Sequence, residues 1–211
     1  MTIDTVLYDF GNVLVGWDPR RALVGPMSPE EVDTFFREVD FDAYNRARDA
    51  GRTIAEEAEL VAREHPEHAE AFALYIDRFE LSLTGPVEGS AELVDELAEA
   101  GLRLFGLTNW SAELFGAAAH AAPATTRMED VLVSGRERLV KPDPAIFRLA
   151  RDRFGLDPTA TVFVDDSAEN VEAASALGFC TVHFRSTSQL RDELRRLGVD
   201  VRLPGRREPG A

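Results

Sequence analysis

Val6-Leu7-Tyr8-Asp9-Phe10-Gly11-Asn12-Val13-Leu14 is the stretch on which the fold turns. An apolar run ends abruptly in a carboxylate and then in a Gly-Asn turn. A buried parallel strand reads this way, its last residue emerging at the carboxyl edge of a sheet. Open α/β sheets bind ligands at that edge, which makes Asp9 the first candidate for chemistry. Taken alone, Asp9 reads more simply as a strand-end cap. Three later strand ends change that reading.

The rest of the chain supplies those strands in a β/α alternation. Leu102–Leu107 reads as a strand ending in Thr108-Asn109-Trp110-Ser111. A helical, alanine-rich stretch follows. Val131–Ser134 is a short strand, after which Lys141-Pro142-Asp143-Pro144 opens a helix carrying Ile146, Phe147 and Ala150. Thr161–Val164 is a strand ending in Asp165-Asp166, and Cys180–Phe184 is the last strand before a helix to about Leu197. Strands alternating with helices imply a parallel sheet with right-handed crossovers and helices on both faces.

Between the first strand and this series lies a helical insertion. Ser28-Pro29-Glu30-Glu31 reads as a capping box with proline at the first helical position. Val32, Phe35, Phe36 and Val39 follow at helical spacing, and the helical region runs to the stop at Gly51-Arg52-Thr53. Thr53 and Glu56 form a second capping box, for a helix that ends before Pro66. A further helix uses Phe72, Ile76 and Phe79, and Thr84-Gly85-Pro86 ends it. The expected organisation is therefore a core of residues 1–16 and 85–200, a helical cap over 17–84, and a disordered tail over 201–211 rich in Pro, Gly and Arg.

Composition narrows the partners. A chain of 211 residues with 45% hydrophobic content buries a real core. No run approaches the roughly 18 apolar residues of a membrane span, and no basic-then-apolar leader opens the sequence; a cytoplasmic protein is expected. The formal net charge of -15 repels nucleic-acid phosphates and anionic membranes. A phosphorylated small molecule would need local positive charge, from a metal ion or a lysine. The single cysteine, Cys180, sits in an apolar run and reads as a buried structural thiol, excluding an intramolecular disulfide. His65 and His68 read as helix-surface residues, with no third ligand at a zinc-site spacing.

The polar groups converge on one edge. Asp9, Thr108-Asn109, Lys141 and Asp165-Asp166 all lie at or just beyond strand ends. Each alone reads as a cap or a loop residue; four in one chain do not. Carboxylates with oxygen-only partners suit Mg²⁺, and adjacent acids are a costly pair unless a cation sits by them. A lysine and hydroxyl or amide groups suit a phosphoryl oxygen. A carboxylate beside Mg²⁺ can act as a nucleophile. The reaction class is phosphoryl transfer or phosphate-ester hydrolysis.

From Val6 to about Phe184 the chain resembles the haloacid dehalogenase superfamily. The four motifs occur in order: Asp9-Phe10-Gly11-Asn12-Val13, Leu107-Thr108-Asn109, Lys141-Pro142-Asp143-Pro144 and Val164-Asp165-Asp166-Ser167-Ala168-Glu169-Asn170. The resemblance implies a Rossmann-like core with a small helical cap and a Mg²⁺-dependent phosphatase, most similar to the sugar-phosphatase-like branch and to the phosphatase domain attached to epoxide hydrolases. It implies Asp9 as nucleophile and metal ligand, and Gly11 as a carbonyl ligand. Thr108 and Asn109 would hold phosphoryl oxygens, and Lys141 would neutralise charge. Asp166 would bind Mg²⁺ directly, with Asp165 beside it and Asn170 in support. The substrate would be a small phosphorylated metabolite, a sugar phosphate being one case, selected by Trp17, Tyr44, Arg48 and Trp110.

One position departs from the family pattern. Most phosphatases of the family carry a second Asp two residues after the nucleophile, as general acid and base; here that residue is Gly11. The metal contact needs only a carbonyl, but proton transfer, worth about 10²–10⁴-fold, falls to water or the substrate. Two alternatives stay open. One is a metal-independent 2-haloacid dehalogenase, whose chemistry also lacks the second Asp but has no use for paired acids. The other is a catalytically weak phosphometabolite-binding or regulatory protein.

Overall fold

The computed structural model describes residues 2–201; Met1 and residues 202–211, which include all but the first residue of the expected disordered tail, lie outside the described residues. Val201 is buried. In chain order the elements are β1 (Thr5–Tyr8), β2 (Val15–Trp17), α1 (Pro29–Glu38), α2 (Phe41–Asp49), α3 (Ile54–Glu64), α4 (Ala69–Asp77), β3 (Leu83–Pro86), α5 (Ser90–Glu99) and β4 (Arg103–Thr108). Then come α6 (Ala117–Ala121), β5 (Asp130–Val133), α7 (Ser134–Glu137), α8 (Pro144–Phe154), β6 (Thr161–Asp165), α9 (Ala168–Ser175), β7 (Cys180–His183) and α10 (Thr187–Arg196). The main sheet has the order β5-β4-β1-β6-β7, all parallel.

β1 is central and buried on both faces, which is why it reads as an unbroken apolar run. Side chains alternate across the sheet. Val6 and Tyr8 face a core shared with Leu93, Val94 and Leu97 of α5 and with Leu190 and Leu194 of α10. Leu7 faces the other side, with Phe105, Phe163 and Ile146, Phe147 and Ala150 of α8. Helices therefore cover both faces. Gly106 of β4 makes room for the turn after β1: a Cβ there would sit 2.8 Å from the Phe10 ring and from Val131.

The helices between β2 and β3 form a layer consistent with a cap. The expected helical region from Ser28 to Gly51 is two helices, not one. Asp40 adopts a left-handed conformation (φ 47°) and its side chain accepts from the Ala43 N–H, so it starts α2 in a new direction. Both predicted capping boxes, Ser28 with Glu31 and Thr53 with Glu56, are present with reciprocal bonds. Thr84-Gly85-Pro86 does not simply end a helix: it belongs to β3, which pairs antiparallel with β2 and makes the two-stranded stem under the cap. The alanine-rich stretch after Ser111 is α-helical over α6 and continues as a 3-10 turn over Pro123–Arg127.

Two side chains differ from their expected settings. Cys180 is half-buried on edge strand β7, its thiol against the Thr159 carbonyl. His68 is buried rather than on a helix surface, because it packs edge-on to Phe35 and pairs with Glu38 at 2.9 Å.

The cap has a buried ion pair. Arg48 Nε lies 3.3 Å from Glu57 Oε2, both side chains almost without exposure, and the guanidinium stacks over Phe41 and Tyr75. The pair lacks hydrogen-bond geometry, and burial pushes the Glu57 carboxyl up to about 7. Removing one member of a buried pair costs about 3–5 kcal/mol, whereas replacing both by apolar residues is often neutral. Glu57→Leu is expected to destabilise the protein by that amount in urea titration, and Arg48→Met combined with Glu57→Leu to recover most of it. Equal stability of the single and double variants would refute this account.

Candidate active site

The register of the sheet assembles the site. Tyr8 pairs with Val164 on one side and with Gly106 on the other, so the residues just beyond them emerge side by side at the carboxyl edge. Asp9 leaves the end of β1, where its N–H still donates to the Val164 carbonyl at 2.9 Å. Asp165 closes β6, Thr108 closes β4, and Lys141 enters from the segment between α7 and α8.

Lys141 sits between two acids. Its Nζ donates to Asp9 Oδ1 at 2.8 Å and to Asp165 Oδ2 at 2.6 Å. Asp165 is fully occupied: Asn170 Nδ2 reaches both its oxygens at 3.0 and 3.1 Å, and the Ser167 N–H donates to Oδ1. Asp166 differs. It is exposed, its carboxylate receives among the described residues only a 3.4 Å contact from Asn12, and its backbone carbonyl accepts from His183 Nε2. Oxygens of Asp9, Asp165 and Asp166 lie within 4.8 Å of one another, a donor set of hard oxygens that suits a small divalent cation.

The electrostatics follow from this crowding. Burial, then Asp165 and Asp166, push the Asp9 carboxyl up to about 7 against the pull of Lys141. Burial and Asp165 likewise raise Asp166. Burial alone would favour a neutral Lys141, but Asp9 and Asp165 outweigh it and hold the ammonium above its usual range.

The remaining predicted residues divide between clamp, donor and wall. Asn109 Nδ2 donates to the Lys141 carbonyl at 3.0 Å while its Oδ1 accepts from the Lys141 N–H at 2.9 Å. Its side chain thus holds Lys141 in place. Thr108 Oγ1 is buried with no hydrogen-bond partner among the described residues, a donor left for something else. Gly11, Asn109, Trp17 and Trp110 line a cavity of about 100 Å³ between cap and core, with Phe79 and Leu114 completing its apolar wall. Gly11 is not in the left-handed region, and nothing lies within 4 Å of where its Cβ would be.

Tyr44 and Arg48 do not line that cavity. Tyr44 bonds Glu64, and Arg48 faces Glu57 while its Nη2 donates to Asn45 Oδ1 at 2.8 Å. Their helix instead sends in Asn45 and Asp49, which sequence reasoning missed. Asn45 Nδ2 donates to Asp49 Oδ2 at 3.2 Å, and burial pushes the Asp49 carboxyl up to about 6. The Asp49 carbonyl accepts from Ser134 Oγ at 2.6 Å, and that same hydroxyl oxygen accepts from the Trp110 N–H, which ties the cap to the end of β4.

Residues 3–178 match the family described as haloacid dehalogenase-like hydrolase. Drimenol cyclase drtB of Aspergillus calidoustus is 25% identical over 195 residues, 91% of this chain and 36% of that protein. (S)-2-haloacid dehalogenase 4A of Burkholderia cepacia is 32% identical over 93 residues, 44% of this chain and 40% of that one. The matches thus span well under half the length of the first curated relatives, between 36% and 43%. Among solved structures, a HAD family enzyme of Bacteroides thetaiotaomicron, in a magnesium complex, superposes with a TM-score of 0.74 at 22% identity, covering 92% of this chain and all of that one.

The raised Asp9 carboxyl carries a sign. A group whose folded value exceeds its unfolded value of 3.8 contributes stability that is lost as pH rises through about 7. In EDTA, the wild-type melting temperature is expected to fall between pH 5 and 8 more than that of Asp9→Asn, and added Mg²⁺ to oppose the fall. Parallel melting curves for the two proteins in EDTA would contradict this.

Proposed function

Because the chain belongs to the haloacid dehalogenase-like hydrolase family, we propose that it is a Mg²⁺-dependent phosphatase that hydrolyses a small phosphorylated metabolite, a sugar phosphate being one candidate, through an aspartyl-phosphate on Asp9. The observation that carries this reading is the exposed, under-bonded Asp166 beside the Asp9–Lys141–Asp165 arrangement. Asp9, Asp166 and the Gly11 carbonyl would hold the cation, whose positive charge would balance phosphoryl oxygens and keep Asp9 ionised. The magnesium complex of the Bacteroides enzyme supports the choice of ion.

The chain's own residues account for the rest. Asp9 Oδ1 is held by Lys141, while Oδ2 accepts no hydrogen bond among the described residues and faces the reaction as the nucleophile. It attacks phosphorus and the P–O bond to the leaving group breaks. Lys141 and the unpartnered Thr108 hydroxyl stabilise the charge on the phosphoryl oxygens. Water then attacks the aspartyl-phosphate, regenerating Asp9 and releasing inorganic phosphate. Trp17, Phe79 and Trp110 wall the space for the leaving group, and the small cavity supports a small substrate.

The dehalogenase relative supplies a second reading, attack on carbon by the same Asp9. It leaves Asp166 with nothing to do. Phosphate release from an aryl phosphate is expected with Mg²⁺, and Asp9→Asn should lower it more than about 10³-fold while preserving the fold. No release with Mg²⁺, Mn²⁺ or Co²⁺, or chloride release from a 2-haloacid without metal, would decide against the phosphatase. Asp166→Ala should abolish both turnover and its Mg²⁺ dependence; an unchanged Mg²⁺ titration would move the metal to other residues.

A further inference from the structure

An alkyl or sugar oxygen is a poor leaving group unless it receives a proton, and Gly11 cannot give one. The space an acid at position 11 would fill is open, and Gly11 lines the cavity between cap and core. Among the described residues lining that cavity, Asp49 is the one ionisable side chain. Resting on the phosphatase reading above, we propose that Asp49, delivered from the cap helix α2, is the general acid and base of the reaction.

Three observations support the assignment. First, position. Asp49 is the last residue of α2, and its backbone carbonyl is pinned by Ser134 Oγ at 2.6 Å. Ser134 also receives the Trp110 N–H at 2.9 Å, one residue beyond the Thr108-Asn109 pair. One hydroxyl therefore references Asp49 to the strand end that faces the phosphoryl group. A second cap-to-core bond, from the Ile54 N–H to Glu113 Oε2 at 2.7 Å, holds the other side of the Gly51 turn.

Second, available hydrogen-bonding capacity. Asp49 Oδ2 accepts from Asn45, and no hydrogen bond to Oδ1 is present among the described residues. The close ion pair of neighbouring Arg48 is with Glu57, not with Asp49. Among the described residues the Asp49 carboxyl accepts one side-chain hydrogen bond, from Asn45, whose own Oδ1 accepts from Arg48 Nη2 at 2.8 Å.

Third, proton affinity. Burial raises the Asp49 carboxyl to about 6, against the pull of Arg48 and Lys141. A carboxyl near that value holds a proton in about one molecule in ten at pH 7, and sits close to the operating range of a general acid. An ordinary surface aspartate does not.

The balance is complete. Asp9 attacks phosphorus, the bond from phosphorus to the alkyl oxygen breaks, and the Asp49 proton moves to that oxygen to release an alcohol. Asp49 is left as a carboxylate. In the second half it takes a proton from the attacking water, whose oxygen bonds to phosphorus as the Asp9 acyl phosphate is cleaved. Asp49 is again protonated and Asp9 again a carboxylate.

The test compares an aryl phosphate, whose leaving group departs as a stable anion, with an alkyl phosphate, whose leaving group needs the proton. Asp49→Asn is expected to lower kcat/KM for the alkyl ester about 10²-fold or more and for the aryl ester less than about tenfold. Placing the acid back at the vacant position, in Gly11→Asp combined with Asp49→Asn, is expected to restore the alkyl-to-aryl ratio toward wild type. Asp49→Glu, which keeps the acid, serves if the amide variant does not fold, and is expected to retain the wild-type ratio. An Asp49→Asn protein that loses both activities equally, or an unchanged ratio, overturns the assignment while leaving the phosphatase reading intact. A wild type inert toward both esters removes the phosphatase reading and Asp49's role with it.

Discussion

A lysine ammonium buried between two carboxylates holds the functional edge of this protein together. Lys141 is nearly inaccessible, and so is Asp165. Neither charge is tolerable there alone, because an isolated buried charge costs several kcal/mol. Together with the amide of Asn170 they form a satisfied cluster into which Asp9 fits as the third member. The geometry demands that β1 and β6 be adjacent and in the observed register, and that the segment after α7 reach back across β4.

The cluster also orders the roles of its acids. Two adjacent aspartates at one strand end look equivalent in sequence. In space the first turns inward to lysine and amide, and the second turns outward with little to bind it. Asp165 is the last residue of β6, whereas Asp166 stands in the bend beyond it. The same logic gives Asn109 a supporting part, because its amide fixes the backbone of the residue that carries the charge.

Much of the core was legible because parallel strands buried on both faces leave long apolar runs that end in a polar residue. Leu104 to Thr108 and Val162 to Asp165 follow that rule, and the site residues at their ends follow with them. The cap was less legible. Val39-Asp40-Phe41 contains no proline or glycine to announce a break, yet Asp40 turns left-handed and resets the helix. The reset decides which flank of α2 meets the core. Phe41 and Arg48 mark its buried stripe, Tyr44 lies on one side of it, and Asn45 and Asp49 lie on the other. A pairing of Arg48 with Glu57, nine positions away on another helix, carries no local signal either. His68 escaped for a similar reason: its burial depends on Phe35, more than thirty positions earlier in the chain.

The Ser134 hydroxyl has a consequence for how such a protein can change. It touches a backbone carbonyl of the cap and a backbone N–H just beyond the end of β4, and neither partner depends on a side chain. Sequence can therefore drift at Asp49 and Trp110 without loosening the joint, so long as the helix ends at that spot. Side chains of α2 that line the cavity, Asn45 among them, can be exchanged while this joint between the two halves stays the same. A transplanted cap from another protein would be held to a stricter condition: it must present a free carbonyl above Ser134, or the new pocket will have no fixed position over the old chemistry.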